Sequence, residues 1–173
     1  VQSMAPVIIR LVWLRPRSAV SISTCRHCCH KAALAKVVTS ATASSVIGVI
    51  AGVISLTKSG AGAMTVSGIN TYSGGTTVSA GSLVAGRAGN AFGATTAAMT
   101  VNGGTLDLGS YSQTLAAVSI GTSGGSITGT TGVLTGSSYA FNNTNTNSAT
   151  VSAILAGTGG VTQAGSGVST LSG

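Results

Sequence analysis

Three residues near the N-terminus have the types and spacing of a zinc site. Cys25 and Cys28, in the run CRHCCH, are separated by two residues, and His30 follows closely. Two thiolates at this spacing can hold one zinc ion, and an imidazole can supply a third ligand. A structural zinc site normally needs a second ligand pair roughly 12–20 residues away, and the sequence has none. The three residues are therefore candidate metal ligands, and the favoured interpretation is that the cysteines are incidental or reactive.

Catalysis would have to rely on a single acidic residue, because Asp107 is the sole Asp or Glu in the 173 residues. Hydrolysis of glycosides normally needs two carboxylates, and calcium sites need several oxygen ligands. A serine triad needs a histidine near an acid, but both histidines lie among the cysteines, at positions 27 and 30. The sequence predicts a non-enzymatic protein without a cofactor, in which Asp107 faces outward from a strand.

The segments that carry these residues form two regions with a boundary after residue 44. Six of the eight cationic residues lie within the first 36 positions, so the formal net charge of +7 belongs mainly to a basic leader, residues 1–44. Beyond it stand Lys58, Arg87 and Asp107, which leave residues 45–173 without the basic face that nucleic-acid binding requires. The leader is expected to be irregular or partly helical. It could be a signal-like segment, a disordered segment or an artefact of a mis-set start.

The body, residues 45–173, shows the two-residue alternation that is typical of β-strands. Stretches such as AMTVSG and TVNGGTLDLG alternate apolar residues with Ser or Thr and then reach Gly or Asn. This pattern predicts short strands that bury one face, with turns at the glycines. Residues 46–68 align without gaps to residues 151–173, and this shift of 105 positions divides into about five units of 20-odd residues. The predicted fold is all-β, a solenoid of about six stacked coils.

One stretch of the body, SGINTYSGGTTVSAGSL (Ser67–Leu83), closely resembles the passenger-associated β-strand repeat of bacterial autotransporters. The resemblance implies a right-handed parallel β-helix outside a Gram-negative cell, at the cell surface, at the outer membrane or in the medium. It also implies export through a C-terminal outer-membrane β-barrel, which does not follow in this sequence and whose absence favours a fragment of a longer passenger. The motif residues expected to build turns and strands are Gly68, Asn70, Thr71, Tyr72, Gly74, Gly75, Thr76, Thr77, Gly81 and Leu83.

The function expected from these features is that of a non-enzymatic, adhesin-like stalk of a passenger domain. Its partners would be host-surface glycans or matrix proteins, contacted by faces rich in Ser, Thr and Asn. Two alternatives remain open: a passenger whose catalytic domain, such as a protease, lies outside this sequence, and a truncated reading frame without an independent function. Tyr72 is expected to pack at a turn, and the polar run Asn142–Asn147 is expected to be a surface loop.

Overall fold

The protein is built from short strands joined by tight turns. The computed structural model describes residues 35–39 and 42–173. The strands are β1 (Ala35–Thr39), β2 (Ser44–Val46), β3 (Ser55–Ser59), β4 (Ala63–Val66), β5 (Thr76–Val78), β6 (Ser82–Ala85), β7 (Met99–Val101), β8 (Thr105–Asp107), β9 (Gln113–Thr114), β10 (Ala117–Ile120), β11 (Gly125–Thr128), β12 (Val133–Thr135), β13 (Ser138–Phe141), β14 (Ala149–Val151), β15 (Ile154–Ala156), β16 (Val161–Gln163) and β17 (Ser169–Leu171).

These strands form three parallel sheets that run along the molecule. The first sheet has the order β1-β3-β5-β7-β10-β13-β16, the second has β2-β4-β6-β8-β11-β14-β17, and the third has β9-β12-β15. Strands that are neighbours in a sheet come from successive coils of the chain, and every pair is parallel. The chain is therefore a parallel β-solenoid of about six turns, and none of the described residues is helical. This architecture confirms the predicted all-β solenoid.

Alternation along each strand creates the core. In β3 and β4 every second residue is buried, and the same alternation recurs in later coils. In the first sheet one inward column contains Leu56, Thr76, Met99, Val118 and Tyr139, which stack directly on one another. Burying each large apolar side chain contributes roughly 1.5–3 kcal/mol. Because strands in a sheet are spaced by roughly 4.8 Å, each column forms a continuous and mainly apolar strip along the solenoid axis.

The 105-residue repeat has a direct structural meaning in the first sheet. Five steps along the inward column lead from Leu56 to Val161, which is a displacement of 105 positions. In the second sheet five steps lead from Met64 to Leu171, which is 107 positions. The gapless alignment is therefore two residues out of register in the second sheet. Since side chains alternate with period two, a shift of two residues keeps apolar residues on the inner face.

The solenoid begins earlier than the sequence indicated. The strand β1 lies in the segment assigned to the leader, and it pairs residue by residue with β3. The expected boundary after residue 44 falls at the start of β2. The sequence of β1, AKVVT, is not flanked by turn glycines as the strands of later coils are. Its two-residue pattern is therefore difficult to detect within the basic leader.

Candidate functional site

The repeat motif places its asparagine inside the solenoid. Asn70 is fully buried, and its Oδ1 accepts a hydrogen bond from Ile50 N at 2.7 Å in the preceding coil. Its Nδ2 donates to Ala91 O at 2.5 Å in the following coil. Gln113 continues this ladder one coil further, because its Oε1 accepts from Ala91 N at 3.0 Å. These amides satisfy backbone groups between neighbouring coils, and the ladder ends at Gln113, where the third sheet begins with β9. We call Ile50, Asn70, Ala91 and Gln113 the polar ladder.

The motif tyrosine is also internal. Tyr72 is fully buried, and its hydroxyl lies 2.5 Å from Thr76 Oγ1. Thr76 Oγ1 also lies 3.2 Å from Phe92 O in the next coil. Burial raises the pKa of the Tyr72 hydroxyl far above its usual value, so this hydroxyl stays protonated and serves as a hydrogen-bonding group. The ring of Phe92, which is also buried, belongs to the same core.

Two motif glycines are required by the close approach of neighbouring coils. Gly81 has a φ of +62°, and an added Cβ would collide with the carbonyl oxygens of Gly60 and Gly62. At Gly74 an added Cβ would lie 2.5 Å from Ile54 O. A side chain at either position would push two coils apart and break their hydrogen bonds.

The remaining motif residues lie on both faces of the coil. Leu83 is buried in the inward column of the second sheet, whereas Thr71 is exposed at the turn and Thr77 is a half-buried, outward residue of β5. Gly68 is buried, and Gly75 adopts a φ of +87° immediately before β5. The structure thus places each of these residues within one coil, where they shape strands and turns.

The outward faces carry hydroxyl groups in regular columns. On the first sheet the column contains Thr57, Thr77, Thr100, Ser119 and Thr162, and Ala140 interrupts it between Ser119 and Thr162. On the second sheet a column contains Ser82, Thr105, Ser126, Thr150 and Thr170. Thr100 Oγ1 lies 3.1 Å from Ser119 Oγ, so neighbouring hydroxyls can pair along the column. Hydroxyls at the spacing of the strands therefore cover two long faces of the solenoid.

A lysine occupies an inward position that sequence analysis did not single out. Lys58 is fully buried and stacks in one column with Val78, Val101, Ile120 and Phe141. Its Nζ donates to the carbonyl oxygens of Ser59, Gly60 and Ala80 at 3.2, 2.7 and 3.1 Å. Burial lowers the pKa of the Lys58 amino group from its usual value. The two-residue alternation that makes Leu56 an inward residue also marks position 58 as inward, and this signal could have identified it.

Two buried amide side chains were also not predicted from the sequence. Gln113 and Asn143 are both buried, and Asn143 Nδ2 donates to Asn147 O and Val168 O at 2.9 and 2.8 Å. Asn143 belongs to the polar run expected to be a surface loop. The later residues of that run are exposed, and Asn145 adopts a left-handed φ of 53°. Asn143 differs because its amide closes the turn from the inside.

The candidate chemical residues are not gathered into a catalytic or metal centre in the described part of the chain. Asp107 is the half-buried last residue of β8, and its Oδ1 accepts a hydrogen bond from Gly109 N at 2.9 Å. Cys25, Cys28 and His30 lie outside the described residues. Within those residues no group of three or more His, Cys, Asp or Glu side chains is placed to hold a metal ion. The residues that the structure describes also contain no helix of sufficient length and apolarity to cross a membrane.

Together these contacts define a class of protein, a parallel β-solenoid whose most regular sequence motif serves to stack one coil on the next. The particular repeat can also be named. Residues 56–85, which extend from β3 to the end of β6, match the family described as passenger-associated-transport-repeat. This match confirms the resemblance to the repeats of autotransporter passengers, a family that implies surface display or secretion in Gram-negative bacteria. No curated protein and no solved structure matches the chain.

Proposed function

We propose that this chain is a non-enzymatic, adhesin-like stalk of an autotransporter passenger, displayed at the surface of a Gram-negative cell or released from it. The observation that carries the proposal is the coincidence of the family match with the coils β3 to β6 of a regular solenoid. A stalk of this kind gives reach, because every coil extends the axis by one strand spacing. Six spacings of roughly 4.8 Å between the seven strands of the first sheet give about 30 Å.

The adhesive role is supported by the surface that the coils present. The outward columns of Ser and Thr offer both hydrogen-bond donors and acceptors, and a regular spacing lets one extended ligand contact several coils. Each contact is weak in water, so useful affinity requires many simultaneous contacts or many copies of the stalk. Host-surface glycans and matrix proteins are the proposed partners.

Adhesion can be tested with beads coated with the purified chain, residues 1–173. The beads are applied to surfaces bearing neutral glycans, sialylated glycans, collagen or fibronectin, with albumin-coated beads as the control. We expect retention of the coated beads on at least one of these surfaces above the albumin control. Equal retention of both bead types on all four surfaces would contradict the adhesive role, whereas the solenoid architecture would be unaffected.

A further inference from the structure

One aromatic ring differs from all the others in the described residues. Four of the five aromatic side chains within residues 42–173 are buried, with exposed fractions of 3% or less: Tyr72, Phe92, Tyr139 and Phe141. Tyr111 is 41% exposed. Its hydroxyl makes no hydrogen bond within the part of the chain that the structure describes. Tyr111 is therefore the one aromatic side chain of the described residues that is largely accessible to solvent.

The single side-chain carboxylate of the described residues, Asp107, lies just before the turn that ends at Tyr111. Tyr111 N donates to Leu108 O at 2.9 Å, which closes a four-residue turn directly after Asp107. Such a turn brings the Cα atoms of Leu108 and Tyr111 within about 7 Å of each other. Asp107 directly precedes this turn, and its Oδ1 accepts a hydrogen bond from Gly109 N within the turn. Its Oδ2 has no hydrogen-bond partner among the described residues and can accept a bond from a ligand.

A guanidinium group lies one coil away from the ring. Gly89 N donates to Ser112 O at 2.9 Å, and Gln113 Nε2 donates to Arg87 O at 2.6 Å. These bonds place the backbone at Arg87–Gly89 beside the backbone at Tyr111–Gln113. Arg87 Nε donates a hydrogen bond to Ala88 O at 3.0 Å, whereas neither Nη group makes a hydrogen bond within residues 42–173. Arg87 and Asp107, both half-buried, are thus the two charged residues of this region: Arg87 lies on the neighbouring coil beside residues 111–113, and Asp107 lies directly before the turn that ends at Tyr111.

We propose that Tyr111, Asp107 and Arg87 form a binding site for one neutral sugar residue of a glycan, an inference that rests on the adhesive role proposed above. The apolar C–H face of a pyranose ring packs on Tyr111, as apolar groups pack on aromatic faces. Adjacent hydroxyls of the sugar donate to Asp107 Oδ2 and accept from the Arg87 Nη groups. Hydrogen bonds that involve an ionised partner are the stronger kind, and they fix the orientation of the ring.

The charge of the site favours a neutral ligand. One guanidinium and one carboxylate sum to zero, so an acidic sugar would gain from Arg87 and lose from Asp107. An extended peptide would need a row of unpaired backbone groups, and the backbone at this turn is already bonded to the coils on both sides. A sugar needs one stacking face and a few side-chain partners, which is what this turn offers.

The test uses the full chain, biotinylated and assembled on streptavidin so that a weak site is multivalent. The probe is a printed array of glucose-, galactose- and mannose-terminated neutral oligosaccharides together with sialylated counterparts. We expect binding to a subset of the neutral oligosaccharides. Tyr111→Ala and Asp107→Asn should each reduce this binding by about tenfold or more, whereas Tyr111→Phe should retain most of it because the ring remains. Ser137→Ala, another exposed position, is the matched control and should bind as the wild type does.

Thermal unfolding followed by circular dichroism establishes that each variant is folded, and Tyr111→Phe is the conservative variant that keeps the ring. Binding to neutral oligosaccharides that Tyr111→Ala leaves unchanged would overturn this site and leave adhesion standing. Binding confined to sialylated oligosaccharides would overturn the neutral-sugar assignment. Retention on collagen or fibronectin without any binding to the array would overturn the sugar site and support adhesion to protein. An absence of binding to the array and to both proteins would overturn the site and the adhesive role together.

Discussion

Replacing Asn70 by alanine removes a buried amide that hydrogen-bonds to the coils on both sides. In the variant Ile50 N and Ala91 O lose their side-chain partners, at 2.7 and 2.5 Å in the wild type. Leaving a buried polar group without a partner costs about 1–3 kcal/mol. Two such groups therefore predict a loss of about 2–6 kcal/mol in the free energy of unfolding. Because a solenoid coil contacts only its neighbours, the loss should be concentrated in the coils around residues 50–91.

Native-state hydrogen exchange of the full chain measures this local loss directly. A destabilisation of about 3 kcal/mol lowers the protection of the Ile50 amide by about a hundredfold, and amides of β13 should change far less. Asn102→Ala is the matched control, because Asn102 Oδ1 accepts from Ser123 N at 2.9 Å in the next coil at an exposed site. Water can replace that bond, so the control should lose about 0.5–1.5 kcal/mol. Equal losses of protection in the two variants would refute the structural role of the buried amide.

Three further predictions concern turns, charge and strand edges. Gly81→Ala should destabilise the protein by several kcal/mol more than Gly89→Ala in urea unfolding. Both glycines have positive φ, but an added Cβ would collide with backbone atoms only at Gly81. Equal unfolding midpoints for the two variants would contradict this. Burial lowers the pKa of Lys58 from its usual value of 10.5. Between the folded-state pKa and the unfolded-state pKa of this lysine, the folded chain therefore binds fewer protons than the unfolded chain. The free energy of unfolding should rise with pH through that interval. Lys58→Met should remove this rise relative to the wild type in urea unfolding at stepped pH, and parallel pH profiles would count against a shifted lysine. Residues 45–173 expressed alone should aggregate more than the full chain, because β3 loses its partner β1 and exposes a strand edge; a monodisperse monomer in size-exclusion chromatography would contradict this.

The sequence identified the fold because its signals are local. Alternation at positions such as Leu56, Met64 and Leu83 marks an inner face, and glycine marks the turns between strands, so neither signal depends on distant residues. A repeat also makes each coil predict the next, because identical units stack on one another. The start of the solenoid was harder to locate, since β1 resembles any short β-branched stretch until its pairing with β3 is known.

The candidate sugar site could not be predicted from the sequence, because it depends on residues that are distant from one another along the chain. Asp107 and Tyr111 are close in sequence, but Arg87 joins them only because one coil places residues 87–89 beside residues 111–113. Whether a tyrosine is buried or exposed likewise depends on the coil that covers it. Tyr72 and Tyr111 both follow polar residues in glycine-rich segments, yet one is buried and the other is 41% exposed.

By itself, the sequence determined that the chain alternates inner and outer residues, turns at glycines and repeats itself with a period near 20 residues. Those properties follow from short-range sterics and from the period-two geometry of a strand. The tertiary structure alone decided which side chains become neighbours across coils. The polar ladder, the buried amine of Lys58 and the surface cluster at Tyr111 all depend on coil lengths, which vary from 19 residues (Met99 to Val118) to 24 (Ile127 to Val151). Inserting or deleting one residue in such a coil would shift the side-chain contacts between that coil and its neighbours, because stacking fixes the register of each strand against the next.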